Sequence, residues 1–175
     1  MGAIKIEVDG LSFVFPSDWK VCKYDEGEFY RKKFIKIKDG VKAVDVVAIS
    51  PERILYLMEV KDYRFHRRTN PSGIHEILID KILYTLASLF ALAASDERGY
   101  EKDLADQAIK CKSIRVVFHL EQATSGSRLS PRKYKLEDLQ QKIRQKIRPI
   151  DKRALVIEQK SMSRVEWKCN FLPKE

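Results

Sequence analysis

Three runs rich in β-branched and aromatic residues, followed by one long helix-forming segment, constrain this chain more than any other feature. FYRKKFIKIK, VKAVDVVAIS and RILYLMEVKDYRF are separated by Asp39-Gly40 and by Ser50-Pro51-Glu52, both strong turn signals. Successive strands with such short links pair antiparallel. The segment Gly73 to Ser95, GIHEILIDKILYTLASLFALAAS, is then too apolar on too many sides for a surface helix, so it packs on the sheet. Its far end leads to another apolar strand, IRVVFHL, which the helical crossover brings back in parallel. Strands clustered before a crossover point to a mixed α/β domain.

The rest of the chain extends this core. Ile4, Ile6 and Val8, then Asp9-Gly10, then Leu11, Phe13 and Phe15 read as a β-hairpin. PSDWKVCKYDEGE supplies a cap in Ser17 or Asp18 and a stop in Gly27, which predicts a short helix. After IRVVFHL comes the polar loop EQATSGSRLSPRKYK, then a helix with Leu136, Leu139, Ile143 and Ile147 on one face, then a last strand, RALVIEQ. The expected order is hairpin, α, β, β, β, α, β, α, β. This makes one domain with a hairpin over 1–16, a core over 17–120 and a basic helix-strand extension over 121–175.

Composition narrows the function classes. A formal charge of +9 and a pI near 9.4 favour an anionic partner, above all nucleic acid. The most apolar segment, Ile82 to Ala94, is too short to span a bilayer, and Thr85 and Ser88 interrupt it. The amino terminus alternates like a strand and lacks the apolar stretch of a signal peptide, and Ile6 breaks the myristoylation pattern. A cytoplasmic protein without a membrane partner is the expectation. Cys22, Cys111 and Cys169 are widely spaced and odd in number, which argues for reduced thiols over a disulfide framework or a thiolate metal site.

Against this background Asp45, Glu59 and Lys61 stand out, because they interrupt apolar runs where each costs desolvation energy. Residues two apart in a strand share a face, so Glu59 and Lys61 point the same way. A turn centred near Glu52 pairs position 49 with 55 and 45 with 59, and all three groups converge. Two adjacent carboxylates repel unless a cation sits between them. A hard divalent cation such as Mg²⁺ suits carboxylate and carbonyl oxygens, and it promotes hydrolysis by lowering the pKa of bound water. An amine beside it can orient or deprotonate that water or neutralise charge on a phosphate.

Val44-Asp45 followed after a gap by Glu59-Val60-Lys61, a long helix and a further strand resembles the PD-(D/E)XK nuclease superfamily, the restriction-endonuclease-like fold. The resemblance covers roughly residues 17 to 120 and implies an αβββαβ core with a mixed central sheet flanked by helices. It also implies a metal-dependent DNA endonuclease, with Asp45, Glu59 and Lys61 catalytic and Mg²⁺, or Mn²⁺ in its place, at Asp45, Glu59 and Val60. A family glutamate on the first core helix has candidates in Glu26 and Glu28. Val44 stands where the family name has proline.

Acid-x-Lys occurs four times, at Asp18, Glu59, Glu158 and Glu166, but only the Glu59 copy lies in an apolar strand that follows a strand with an embedded aspartate. The plainer reading pairs Asp45 with Lys61 across the strands and leaves Glu59 in solvent at a sheet edge. Glu76 and Lys81, at the start of the long helix, face the same region, with Glu76 and His75 read as capping or surface groups. His119 reads as a core histidine. For nucleic acid, Arg64, Arg67 and Arg68 closely follow the lysine, and Arg132 and Lys133 belong to a basic stretch that runs from Arg128 to Arg153. These suit phosphate contacts on a DNA backbone. The rival expectation is a catalytically inactive nucleic-acid-binding module or a subunit of a larger assembly, and double-strand cleavage would suit a homodimer.

Overall fold

The computed structural model describes residues 2–65, 73–123 and 134–173. Two sheets and the helices form three layers. The first five strands are β1 (Ile4–Val8), β2 (Leu11–Phe15), β3 (Lys20–Lys23), β4 (Val46–Ile49) and β5 (Ile54–Tyr63). The last three are β6 (Ser113–Gln122), β7 (Leu155–Ile157) and β8 (Lys168–Phe171). The helices are α1 (Glu28–Lys32), α2 (Ile74–Ala93), α3 (Tyr100–Ala108) and α4 (Leu136–Lys146).

The five-stranded sheet runs β3-β4-β5-β6-β7 and the three-stranded sheet runs β1-β2-β8. β3, β4 and β5 are antiparallel, whereas β6 lies parallel to β5 over ten residue pairs and β7 parallel to β6. The architecture is mixed α/β, as the sequence implies. The crossover through α2 delivers the parallel strand, and the Asp9-Gly10 turn has positive φ at both residues, the geometry that such hairpins select.

Period-two alternation sorts β5 between two cores. Leu55 and Leu57 enter the helix-side core with Leu78, Ile82, Leu89 and Phe118, while Met58 and Val60 enter a second core with Phe13, Phe15, Trp19 and Trp167. Glu59 and Lys61 therefore belong to the helix side.

Four expectations are corrected. FYRKKFIKIK is not a strand: it folds as α1 and a 3-10 turn over Phe34–Ile37. Tyr30 and Phe34, four residues apart, are buried, whereas Ile35 and Ile37 are exposed, so the helical spacing decides the packing. The free edge of β4 is taken by Lys20–Lys23, where a helix was expected, and only a 3-10 turn over Tyr24–Glu26 follows it. The polar segment after α2 contains an unexpected helix, α3, which buries Leu104, Ala105 and Ala108. The strand expected in RALVIEQ forms as β7, and an unexpected strand, β8, follows it, pairs with β2 and joins the two chain ends in one sheet.

Candidate functional site

The expected strand register holds. Ile49 pairs with Leu55 and Val46 with Met58, so Asp45, one residue ahead of β4, stands opposite Glu59. Both carboxylates are buried, with Asp45 4% and Glu59 2% exposed. Glu59 is thus not a solvated edge residue, so that half of the plainer reading fails, whereas Lys61 does reach Asp45 as that reading expects.

Asp45 is fixed from several sides. Its Oδ2 accepts the Val60 N–H at 2.7 Å, and its carbonyl accepts the Tyr24 N–H at 2.9 Å. Just before it, the Val44 N–H donates to Thr85 Oγ1 of α2 at 3.0 Å. These bonds tie Asp45 to β5, to the 3-10 turn and to the long helix.

Two lysines close the site. Lys61 Nζ lies 2.9 Å from Glu59 Oε1, 3.9 Å from Asp45 Oδ2 and 2.9 Å from the Val60 carbonyl. Lys81, from α2, donates to both Glu59 oxygens at 2.6 and 2.7 Å and to Asp45 Oδ1 at 3.4 Å. An ammonium therefore already bridges the two carboxylates, the role a metal cation would otherwise take. Of the four side chains Lys61 is the most accessible, at 30%.

Burial, and after it the neighbouring Asp45 carboxylate, push Glu59 up to about 7 against the opposing pull of Lys81 and Lys61. For Lys61, burial pulls the ammonium down, but Glu59 and Asp45 outweigh it and hold the group above the ordinary lysine range. The directions agree physically. One lysine gains from two carboxylates, while Glu59 bears both desolvation and repulsion. With its lysines in place the site holds Lys61 as a cation, suited to stabilising negative charge and not to removing a proton.

A third acid faces this group. Asp25, in the 3-10 turn, has one buried oxygen with no hydrogen-bond partner among the described residues. Burial raises its pKa first and Asp45 second, against Lys81 and Lys23. The expected first-helix acids lie elsewhere: Glu26 pairs with Lys23 and Glu28 with Lys32, both at the exposed surface. Asp25 was missed because the helix predicted around it is a single turn, and its signal was only adjacency to the buried Tyr24.

Lys81 carried a clearer signal. Leu78, Ile82, Thr85, Leu89 and Leu92 are buried on one face of α2, and Lys81 falls on that apolar stripe three residues after Leu78. Glu76 caps α2, accepting the Gly73 N–H at 3.0 Å. His119 is fully buried beside Phe13, with Nε2 2.8 Å from Glu121 Oε1.

Of the residues expected at phosphates, Arg64 is already engaged. Its guanidinium makes a forked contact with Asp62, at 2.9 Å from Nε and 2.7 Å from Nη2, and stacks 3.7 Å from the Phe171 ring centre. Arg67, Arg68, Arg132 and Lys133 lie outside the described residues. Among the described residues no group of three or more His, Cys, Asp or Glu side chains comes together as a metal cluster. Any divalent ion here would rest on the Asp45 and Glu59 pair, a backbone carbonyl and water. That donor set fits Mg²⁺, which keeps several waters and binds through one or two carboxylates.

The chain is 31% identical over 159 residues to a cysteine–tRNA ligase of Neisseria meningitidis serogroup A, a match covering 74% of this chain and 23% of that protein. It thus spans less than a quarter of that relative's length. No family model matches the chain. No solved structure matches it. Among the described residues no helix is long and apolar enough to cross a membrane.

Proposed function

We propose that this protein is a metal-dependent nuclease of the restriction-endonuclease-like kind, hydrolysing phosphodiester bonds of DNA. One observation carries the reading: Asp45 and Glu59 are buried together on facing strand positions, with Lys61 on the same face as Glu59. Asp45, Glu59 and the Val60 carbonyl would hold Mg²⁺. The ion supplies a water of lowered pKa and charge stabilisation at the phosphate. The chain's own residues do the rest. The Val60 N–H and the Thr85-anchored backbone orient Asp45, and the Lys61 ammonium faces the charge that builds on the phosphate. With an ion held by these carboxylates, Lys81 would no longer be needed to neutralise them, and its ammonium would be available to the substrate.

The test is cleavage of supercoiled plasmid, linear duplex, single-stranded DNA and tRNA with Mg²⁺, with Mn²⁺ and with chelator. The expected result is metal-dependent cutting, reduced about 100-fold or more in Lys61→Ala and Asp45→Asn. Absence of cutting on every substrate overturns the reading.

A second reading has its own support. Lys81 and Lys61 already neutralise both buried carboxylates, and the relative matched in part is a larger tRNA ligase. A nucleic-acid-binding module with a structural ion-pair cluster would look the same. Lys81→Met separates the two in thermal melts. In chelator the variant loses about 3 kcal/mol, because a buried acid pair loses a cation. Recovery of that loss by Mg²⁺ supports the nuclease, and absence of recovery supports the module.

A further inference from the structure

A second charged cluster lies away from the acidic pair and has the opposite sign. A cavity of about 480 Å³ is lined by Arg115, Arg144, Arg153 and Arg164, with Tyr56 in its wall and Glu166 as its one carboxylate. These residues come from five places in the chain: β5, β6, α4, the segment before β7 and the stretch before β8. Tyr56 pairs with Arg115 across the parallel strands. It lies five residues before Lys61 in β5, about 16 Å along the strand, and on the opposite sheet face. The pocket is therefore not an arm of the Asp45 and Glu59 site.

Three of the four arginines are held by neutral groups. Arg144 Nε donates to the Ala154 carbonyl at 2.8 Å, Arg164 Nη2 to Gln140 Oε1 at 3.1 Å and Arg115 Nη1 to the Arg153 carbonyl at 3.1 Å. Such tethers fix the guanidinium planes without cancelling their charge. Among the described residues only Arg115 has an ion-pair partner, Asp151 at 3.5 Å, and that carboxylate already accepts the Val116 and Arg153 N–H groups. Arg144, Arg153 and Arg164 form no ion pair among the described residues. Four guanidiniums facing one carboxylate leave a concentrated positive charge with spare donors in fork geometry, and a small, multiply charged anion answers it best.

We propose that this pocket binds a phosphomonoester, the dianionic phosphate of a nucleotide or of a phosphorylated strand end. A groove tracking a nucleic-acid backbone would spread its cations along a track. Here they surround one cavity, which suits a terminal phosphate better than a run of diesters. The inference does not depend on cleavage at the acidic pair.

The test compares two 3′-labelled single strands of one sequence, with a 5′-phosphate or a 5′-hydroxyl, by fluorescence anisotropy. AMP is titrated in parallel, read by tryptophan emission, since the Trp19 and Trp167 ring centres lie 5.0 and 5.4 Å from that of Tyr56. The variant is Arg153→Gln with Arg164→Gln, two exposed positions, its fold checked by thermal melts. Lys142→Gln with Lys146→Gln, on the exposed side of α4, removes the same charge elsewhere. The expected preference for the phosphorylated strand, or saturable AMP binding, is about 10-fold or more over the hydroxyl strand or over adenosine. It disappears in the arginine variant and survives in the lysine control. Preference for the strand assigns the pocket to nucleic-acid ends, and AMP binding without such a preference assigns it to a free nucleotide. Equal weakening of phosphorylated and hydroxyl strands by both variants overturns the proposal, as does absence of any phosphate-dependent binding.

Discussion

Glu59 concentrates the chemistry of the site in one carboxyl group. Its pKa is raised from 4.5 to about 7, so the folded protein holds this proton more tightly than the unfolded chain does. The sign of the linkage follows. The contribution is fully present below about pH 4.5 and is lost as pH rises towards 7. Asp25 is shifted in the same direction and adds to the same slope. In chelator, denaturant melts should show stability falling between about pH 5 and pH 7, and Glu59→Gln should flatten most of that fall. A bound divalent cation favours the ionised carboxylate, so saturating Mg²⁺ should flatten it as well. A slope unchanged in Glu59→Gln would mean that Lys81 and Lys61 already compensate the charge, and that the group titrates like an ordinary glutamate.

At the scale of elements, α2 both covers the sheet and sets the site, through Thr85. This residue is fully buried, and its hydroxyl oxygen accepts the Val44 N–H directly ahead of Asp45. Thr85→Val keeps the volume and removes the acceptor, leaving a buried N–H without a partner. The expected loss is about 1–3 kcal/mol in denaturant melts. Because the unsatisfied group adjoins Asp45, cation-dependent stabilisation should weaken with it, whereas Thr85→Ser should retain both. The elements legible in the sequence were those in which local and tertiary signals agree. The β4–β5 register followed from alternation and from the turn around Glu52, and α2 from its continuous apolar composition. FYRKKFIKIK misled because its alternating pattern competes with the four-residue spacing of Tyr30 and Phe34, and only the occupied edge of β4 decides between them. α3 hid in a polar segment whose buried residues, Leu104, Ala105 and Ala108, are few and mostly small. For the site, Asp45, Glu59 and Lys61 could be read as interruptions of apolar strands. Asp25 could not, since its place depends on a backbone bond from Tyr24 to Asp45 that no local pattern encodes.

The whole molecule places two cores on opposite faces of one sheet, and this separation has a measurable consequence. The small sheet joins residues from both ends of the chain, β1 and β2 with β8, over Phe13, Phe15, Trp19 and Trp167. Trp167 is 2% exposed and packs 5.2 Å from Phe15, 5.9 Å from Trp19 and 5.4 Å from Tyr56, between ring centres. Trp167→Ala empties the middle of that cluster and should cost about 3–5 kcal/mol. Asp45 and Glu59 face the helix-side layer, whereas Trp167 belongs to the second core, so the two effects should add. On the proposed metal site, any rise in unfolding free energy produced by Mg²⁺ should then match that of the parent protein to within about 0.5 kcal/mol. The arginine-lined pocket should respond differently, because Tyr56 in its wall rests directly on Trp167. Melts with and without Mg²⁺, together with AMP titration, check both expectations on one variant. Loss of the Mg²⁺ increment together with Trp167 would mean that the sheet transmits strain between its faces and that the two sites cannot be treated as independent.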